Sequence, residues 1–180
     1  MPGFWPFGTV NSIPMDPPNT FDFSIIKMHP QSKSGTVQLR STNPRDTPRI
    51  VMRYFEDNGE EDLAAMVEGV EFGRSIYASI SPPLGPFVEN FPCTKANCST
   101  KDAIKAQIWS HHITGSCAIG ADDDPMAVLG SRFRVRGVEE LRVVDASVWP
   151  IQPGGFPILP TFMVSEKAAA VIIEDARRRY

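Results

Sequence analysis

Apolar and polar positions along the chain follow two periods, one typical of strands and one of helices. The segment TFDFSIIKM (20–28) alternates apolar and polar residues, which predicts a half-buried strand. The segments GTVQLRS (35–41) and RIVMRYF (49–55) flank the turn-rich TNPRDTP, which predicts an antiparallel pair. Two further short strands are predicted in SRFRVRG (131–137) and LRVVDAS (141–147).

Three helices are predicted between and after these strands. Residues 60–80 carry apolar side chains at helical spacing and end at the proline-rich SPPLGP. A serine or threonine at 99–100 offers an N-cap for a second helix over 100–110. The last helix is predicted over 161–178, after Pro160 and with arginines at its C-terminal end, where they complement the helix dipole. The interleaved, hairpin-like order of strands and helices favours an α+β fold.

Composition limits the organisation of the chain. Prolines are frequent over 1–20 and predict an irregular apolar arm, so that residues 21–180 form the folded domain. A length of 180 residues with 42% hydrophobic content is enough for one core, and a net charge of −3 gives no footprint for nucleic acid. No apolar run is long enough to cross a bilayer and no basic leader precedes an apolar stretch, so a cytoplasmic protein is expected.

The three cysteines, Cys93, Cys98 and Cys117, are odd in number and contain no CxxC pair. This pattern argues against a disulfide framework and against a structural zinc site. A bridge between Cys93 and Cys98 is compatible with an oxidising compartment, and NCS at 97–99 matches a glycosylation acceptor. Without a secretory signal both are interpreted as chance matches, and no metal site is predicted.

The segment SHHITGSCAIG (110–120) holds two of the three histidines of the chain. Adjacent side chains in extended backbone point in opposite directions, so at most one of the two histidines faces a given pocket. Such a histidine caps a helix or packs in a core as readily as it acts as a base. Asp145, at a strand end before ASVWP, is poorly explained by packing. The phosphate-binding patterns GxGxxG and GxxxxGK[ST] are not found in the sequence.

The C-terminal third of the chain contains HHITGSCAIGADDDPMAVLGSRFRVRGVEELRVVDASVWP, followed by PTFMVSEKAAAVI. These residues resemble the C-terminal substrate domain of the glucose-methanol-choline (GMC) oxidoreductases. The earlier HPQSKSGTVQLRSTNPRDTPRIVMRYFEDNGEEDLAAMVEGVEFGRSI resembles the opening of that domain, so the resemblance runs from about Phe21 to Arg177. It implies a mainly antiparallel sheet of about six strands with helices packed on one face. In the family this domain is the roof of an active site whose floor is a flavin.

The resemblance also implies roles for individual residues. His112, three residues before the glycine of HxxG, corresponds to the catalytic base. Asp145 of VVDAS corresponds to a residue that lies against the flavin, together with Ala146 and the loop that follows, which contains Gly155. The implied chemistry is alcohol oxidation, in which the histidine takes the hydroxyl proton while a hydride leaves to the flavin.

One position departs from the family pattern. The loop before the last helix usually carries a second polar catalytic residue, histidine or asparagine, and here that position is Phe156. A phenylalanine cannot hydrogen-bond a substrate hydroxyl. Gln152 and Thr161 nearby are alternative donors or acceptors.

The sequence contains no flavin-binding fingerprint, and four interpretations follow. The first is a stand-alone, cofactor-independent and non-redox catalyst of cyclisation, isomerisation or dehydration. In it, His112 acts as acid, base or hydrogen-bond donor and is steadied by His111 or Ser116. The second is the catalytic half of an alcohol oxidase or dehydrogenase whose FAD is held by a separate flavin-binding partner. The third is a non-catalytic small-molecule-binding module, and the fourth is a truncated, decayed product.

On the first interpretation the chain alone binds no cofactor and acts on an apolar small molecule, as a monomer or homo-oligomer. Apolar side chains with a few polar anchors then line the substrate pocket. The candidates for that lining are Trp109, Ser116, Trp149, Phe156 and Phe162.

Overall fold

The computed structural model describes residues 21, 23–90, 92–93, 97–108 and 112–179. These residues form two compact units, the first from the described residues of 1–27 and 58–109 and the second from those of 28–57 and 110–180. The predicted arm over 1–20 and the candidate site residues Trp109 and His111 lie outside the described residues.

The first unit is built on two helices that pack together, α1 (Gly59–Ala78) and α2 (Thr100–Gln107). Both predicted helices are confirmed, and each ends two or three residues before the predicted limit. Ser99 caps α2, because its hydroxyl oxygen accepts a hydrogen bond from the Asp102 N–H at 3.3 Å.

The strand predicted over 20–28 is not formed in its described part. Those residues instead lie along α1 at two glycines. A Cβ on Gly69 would be 2.8 Å from Ile25 Cγ2, and one on Gly73 would be 2.9 Å from Phe23 Cδ1. The alternating apolar side chains pack onto this helix surface, and no neighbouring strand satisfies the backbone of the segment.

The second unit contains the one regular sheet of the described residues, an antiparallel pair of β1 (Thr36–Gln38) and β2 (Arg49–Val51). This pair confirms the predicted hairpin. The fold is therefore α+β, but the sheet of six strands is wrong for the described residues. Segments 131–137 and 141–147 are joined only by isolated bridges. Phe133, within the first of these segments, has a positive φ of 64°, which interrupts the extended backbone that a ladder requires.

The last helix, α3, spans Ile158–Arg179 and confirms the third predicted helix. It begins three residues earlier than predicted because a proline is tolerated in the first helical turn. Its Ala168 packs against buried Leu129, Phe133 and Val148, and these four residues form the core of the second unit. None of the described helices is long and apolar enough to cross a membrane.

Ion pairs fasten α3 to the segment 132–142. The Asp175 carboxylate accepts hydrogen bonds from the guanidinium groups of Arg132, Arg134 and Arg142. The pKa of Asp175 is held well below its ordinary value, mainly by the hydrogen bonds from Arg132 and Arg134. The helix is therefore attached by charged contacts as well as by the core.

The interpretation of the Cys93–Cys98 pairing as a chance match is wrong. Cys93 and Cys98 are joined by a disulfide, with their Cα atoms 5.5 Å apart, and Cys117 is free. This separation lies within the usual range for a bridge. The sequence argument failed because it weighed cysteine number and the missing leader, while local geometry decides whether two cysteines can pair.

Candidate active site

The two motifs with candidate chemistry lie side by side in the second unit. The Cys117 N–H donates to the Ser147 carbonyl at 3.1 Å, and the Ile119 N–H donates to the Val148 carbonyl at 2.8 Å. Gly115 has φ +81°, a conformation that favours glycine. The backbone thus holds the end of the histidine segment against the DASVW segment.

His112 and Ser116 are both exposed on the histidine segment. His112 has an interaction partner within the protein. A hydrogen bond between His112 and Ser116 is not among the contacts of the described residues. The structure therefore places both candidates on one exposed loop, three residues ahead of and just after Gly115.

Asp145 begins the short 3₁₀ turn Ala146–Val148. Its Oδ1 accepts a hydrogen bond from the Ser147 N–H at 2.8 Å and another from the Ser147 hydroxyl. Its Oδ2 has no hydrogen-bond partner among the described residues. The side chain is exposed, so an acceptor oxygen is available at the surface beside Ala146.

An open apolar cavity of about 470 Å³ adjoins these motifs. Ligand pockets of roughly 300–1,000 Å³ accommodate small organic molecules. Val148 and Trp149 form one part of its wall, and Met163 and Val164 of α3 form another. Apart from the indole N–H of Trp149, the polar side-chain groups in the lining of this cavity belong to Ser131 and Lys167.

Of the candidate pocket residues that the structure describes, Trp149 alone lines this cavity. Ser116, Phe156 and Phe162 do not line it, and Phe162 is 66% exposed. The adjacent helix face contributes Met163, Val164 and Lys167, which were not among the residues predicted from the sequence. The available signal was the spacing of these three residues along α3, which puts them on one face of the helix. Phe162 lies one position away, and one position corresponds to a rotation of about 100° around the helix axis.

The loop before α3 carries the remaining candidates. Phe156 is 64% exposed and has φ 52°, and Gly155 packs against Met28. The Thr161 hydroxyl donates to the Pro157 carbonyl at 2.6 Å, so its proton is already engaged. The Gln152 amide N–H donates to the Gly154 carbonyl at 3.1 Å.

Gln152 also anchors this loop through its backbone. His29 Nδ1–H donates to the Gln152 carbonyl at 3.1 Å. The side-chain Oε1 of Gln152 is buried and has no hydrogen-bond partner among the described residues. Of the two alternatives to Phe156, Gln152 therefore keeps a buried acceptor without a partner, whereas the Thr161 hydroxyl has its proton engaged and can only accept.

Across the described residues, no three His, Cys, Asp or Glu side chains come together in a group that could hold a metal ion. The acceptor oxygens and the apolar cavity described above are the features that bear on ligand binding.

Comparison with known proteins gives consistent matches. The family model described as GMC oxidoreductase matches residues 30–165. The chain is 37% identical over 162 residues to the oxygen-dependent choline dehydrogenase of Vibrio vulnificus, covering 85% of this chain and 27% of that protein. It is 32% identical over 158 residues to an alcohol dehydrogenase (acceptor) of Pseudomonas putida, covering 85% and 27%.

Among solved structures, the FAD-dependent oxidoreductase of Chaetomium thermophilum superposes with a TM-score of 0.63 at 32% identity. That match covers 79% of this chain and 25% of the other. The chain thus spans about a quarter of the length of the relatives that it matches.

Proposed function

The chain belongs to the GMC oxidoreductase family, matching the C-terminal part of its members, and we propose that it is the substrate-binding and catalytic half of a FAD-dependent alcohol oxidoreductase. This is the second of the four interpretations drawn from the sequence. The comparisons favour it over the non-redox catalyst, because the matched relatives are named as dehydrogenases and oxidoreductases. The flavin would be held by a partner domain or chain.

The observation that carries this proposal is the pairing of the two motifs. Backbone hydrogen bonds from Cys117 and Ile119 fix the histidine segment beside residues 147–148. A base and a flavin-contacting segment must act on the same substrate carbon, so they have to be held near each other. The second unit provides this arrangement through its own backbone.

The residues present fit one end of a flavin. Asp145 offers an exposed carboxylate oxygen that can accept from a ribityl hydroxyl or a ring N–H. Ala146 and Gly155 are small and bring backbone close to a flat ring. Asp145, Ala146 and Gly155 would hold this end, and the bound flavin would supply the hydride acceptor.

His112 is the proposed general base. As neutral imidazole it accepts the hydroxyl proton of the substrate, which leaves the alcohol carbon ready to lose a hydride. Because Phe156 replaces a second polar residue, we propose that the substrate hydroxyl is oriented by His112, with apolar contacts from Phe156 and Trp149. This environment favours an alcohol with an apolar or aromatic body.

The flavin-binding part would cover an apolar surface at the start of α3. Ile158, Leu159, Phe162 and Met163 are all about two-thirds exposed, between 66% and 68%. A contiguous apolar patch of this kind marks an interaction surface. Since the chain matches only about a quarter of its relatives, a flavin-binding part equivalent to the rest of those proteins is the proposed occupant.

A chimera tests the proposal. This chain replaces the matched quarter of the C. thermophilum oxidoreductase, and the purified protein is assayed for flavin content and for oxidation of primary alcohols. The His112→Ala variant should lower kcat by about 100-fold or more, because a positioned general base contributes about 10²–10⁴-fold. The matched variant His111→Ala should lose less than about tenfold, since one of two adjacent histidines faces the pocket.

The interface is tested in the same chimera. Phe162→Asp should reduce flavin retention, and Leu39→Asp, at another exposed apolar position, should not. Full turnover with His112→Ala, or equal losses in the two histidine variants, contradicts the proposed role of His112.

A further inference from the structure

The disulfide belongs to the first unit, whereas the motifs of the proposed function belong to the second. Cys93 and Cys98 close a short ring just before α2. Disulfides form and persist in oxidising environments and are rare in the cytosol. The bridge therefore bears on the compartment in which the chain folds.

Contacts with α1 hold both ends of this ring. Arg74 of α1 donates two hydrogen bonds to the Glu89 carboxylate, at 2.8 Å each. Glu89 Oε1 in turn accepts the Cys93 N–H at 3.2 Å, and Arg74 also donates to the Thr100 hydroxyl at 3.1 Å. These contacts tie the segments on either side of the bridge to α1.

The same stretch holds the only N-x-[ST] sequence of the chain, Asn97-Cys98-Ser99. Asn97 lies in a turn and is exposed, and Ser99 is exposed at the N-cap of α2. An exposed acceptor sequence in a protein that passes through an oxidising secretory compartment is a site for N-linked glycosylation. The disulfide and the acceptor sequence are separate observations that point to the same compartment.

We propose that the chain folds in an oxidising secretory compartment and carries an N-linked oligosaccharide on Asn97. This differs from the cytoplasmic location expected from the sequence. The proposal is independent of the proposed catalytic function, because neither Asn97 nor the disulfide belongs to the candidate active site.

Both covalent steps balance with reactants of that compartment. The two thiols lose two electrons and two protons to a protein disulfide, which becomes a dithiol. In the transfer to Asn97, a C1–N bond to Nδ2 forms and the C1–O bond of a lipid-pyrophosphate-linked oligosaccharide breaks. The amide loses one proton and the lipid pyrophosphate leaves.

The test expresses the full chain behind a secretory leader in a eukaryotic host and measures its intact mass before and after peptide-N-glycosidase. The unmodified sequence should lose the mass of one oligosaccharide, and Asn97→Gln should carry none. Asn90→Gln is the matched control, because Asn90 precedes Phe-Pro and is not an acceptor. Ser99→Thr keeps both the acceptor sequence and the helix cap, so it should remain glycosylated.

Glycan transfer acts on the emerging chain, so the readout is valid even for a variant that folds poorly. A wild-type chain without glycan, or a glycan that persists in Asn97→Gln, overturns the site. Alkylation without reductant tests the bridge: one thiol, Cys117, should react, and reaction of all three cysteines overturns the oxidising compartment.

Discussion

Replacing Leu129 by alanine tests whether the core of the second unit supports the candidate site. Leu129 is completely buried and packs with Phe133, Val148 and Ala168. Its N–H donates to the Ala118 carbonyl at 3.0 Å, so the core residue also fixes the strand-like segment after the histidines. The cavity left by the substitution would lie directly beneath Val148.

The magnitude follows from the carbon atoms removed. Leu129→Ala deletes three carbon groups, which at about 0.8 kcal/mol each correspond to about 2.4 kcal/mol of transfer free energy. Residual cavity volume adds to this, and buried Leu→Ala changes cost about 2.7–5.0 kcal/mol. We expect about 3–4 kcal/mol, because backbone hydrogen bonds at residues 118 and 148 limit collapse of the surrounding walls.

The assay is equilibrium unfolding in urea, followed by near-UV circular dichroism. With a denaturant dependence of about 2 kcal/mol/M, the midpoint should fall by about 1.5–2 M. Leu39→Ala is the control, since Leu39 is 88% exposed and its loss should change stability by less than about 0.5 kcal/mol. Equal midpoints for the two variants would refute the assignment of Leu129 to the core.

Three further changes follow from the structure. Asp175→Asn removes the carboxylate that three arginines stabilise. Because the pKa of Asp175 is lowered on folding, the contribution of this carboxylate to stability is present above about pH 4 and is lost as the pH falls below that. Acid-unfolding curves of variant and wild type should therefore converge at low pH. Constant separation of the curves from pH 7 to pH 2 contradicts this linkage. Gly120→Ala places a Cβ 2.6 Å from Ala127 Cβ and 2.7 Å from Asp124 Oδ2. Because these contacts are too close, the substitution should lower the free energy of unfolding by about 1–3 kcal/mol. An unchanged thermal midpoint argues against that close approach. Phe156→Gly removes the backbone strain of a non-glycine residue at φ 52° whose side chain buries little surface. The free energy of unfolding should therefore stay equal or rise by up to about 1 kcal/mol. A loss above about 1 kcal/mol in urea unfolding refutes this prediction.

Local patterns in the sequence predicted local structure well. The helical spacing over 60–80 became α1, and the turn between 41 and 49 joined β1 to β2. Both depend on contacts between residues that are near each other in the chain. The α+β class follows from the same elements.

Tertiary contacts decided what the sequence patterns missed. Phe23 and Ile25 of the alternating segment pack onto α1 at Gly73 and Gly69, so the period of this segment does not indicate a strand. A positive φ angle at Phe133 breaks the strand expected over 131–137, and such an angle at a non-glycine residue has no clear sequence signal.

The sequence predicted the two motifs of the candidate site, but it did not predict most of the residues that line the cavity. His112 and Asp145 belong to segments that the structure brings side by side, whereas the catalytic role of each stays a prediction. Trp149 lines the cavity, but Phe162 was chosen one residue from Met163, which does line it. Which face of a helix points to a cavity depends on packing partners, and one sequence does not reveal them.

Flavin reduction under anaerobic conditions tests the central claim most directly, namely that this chain supplies the catalytic base to a flavin held by another part. The chimera is mixed with a primary alcohol without oxygen, and bleaching of the visible flavin band is followed in a single turnover. We predict rapid bleaching with the unmodified chain and bleaching slower by about 100-fold or more with His112→Ala. Equal bleaching by the two proteins, or none by either while flavin stays bound, contradicts the account.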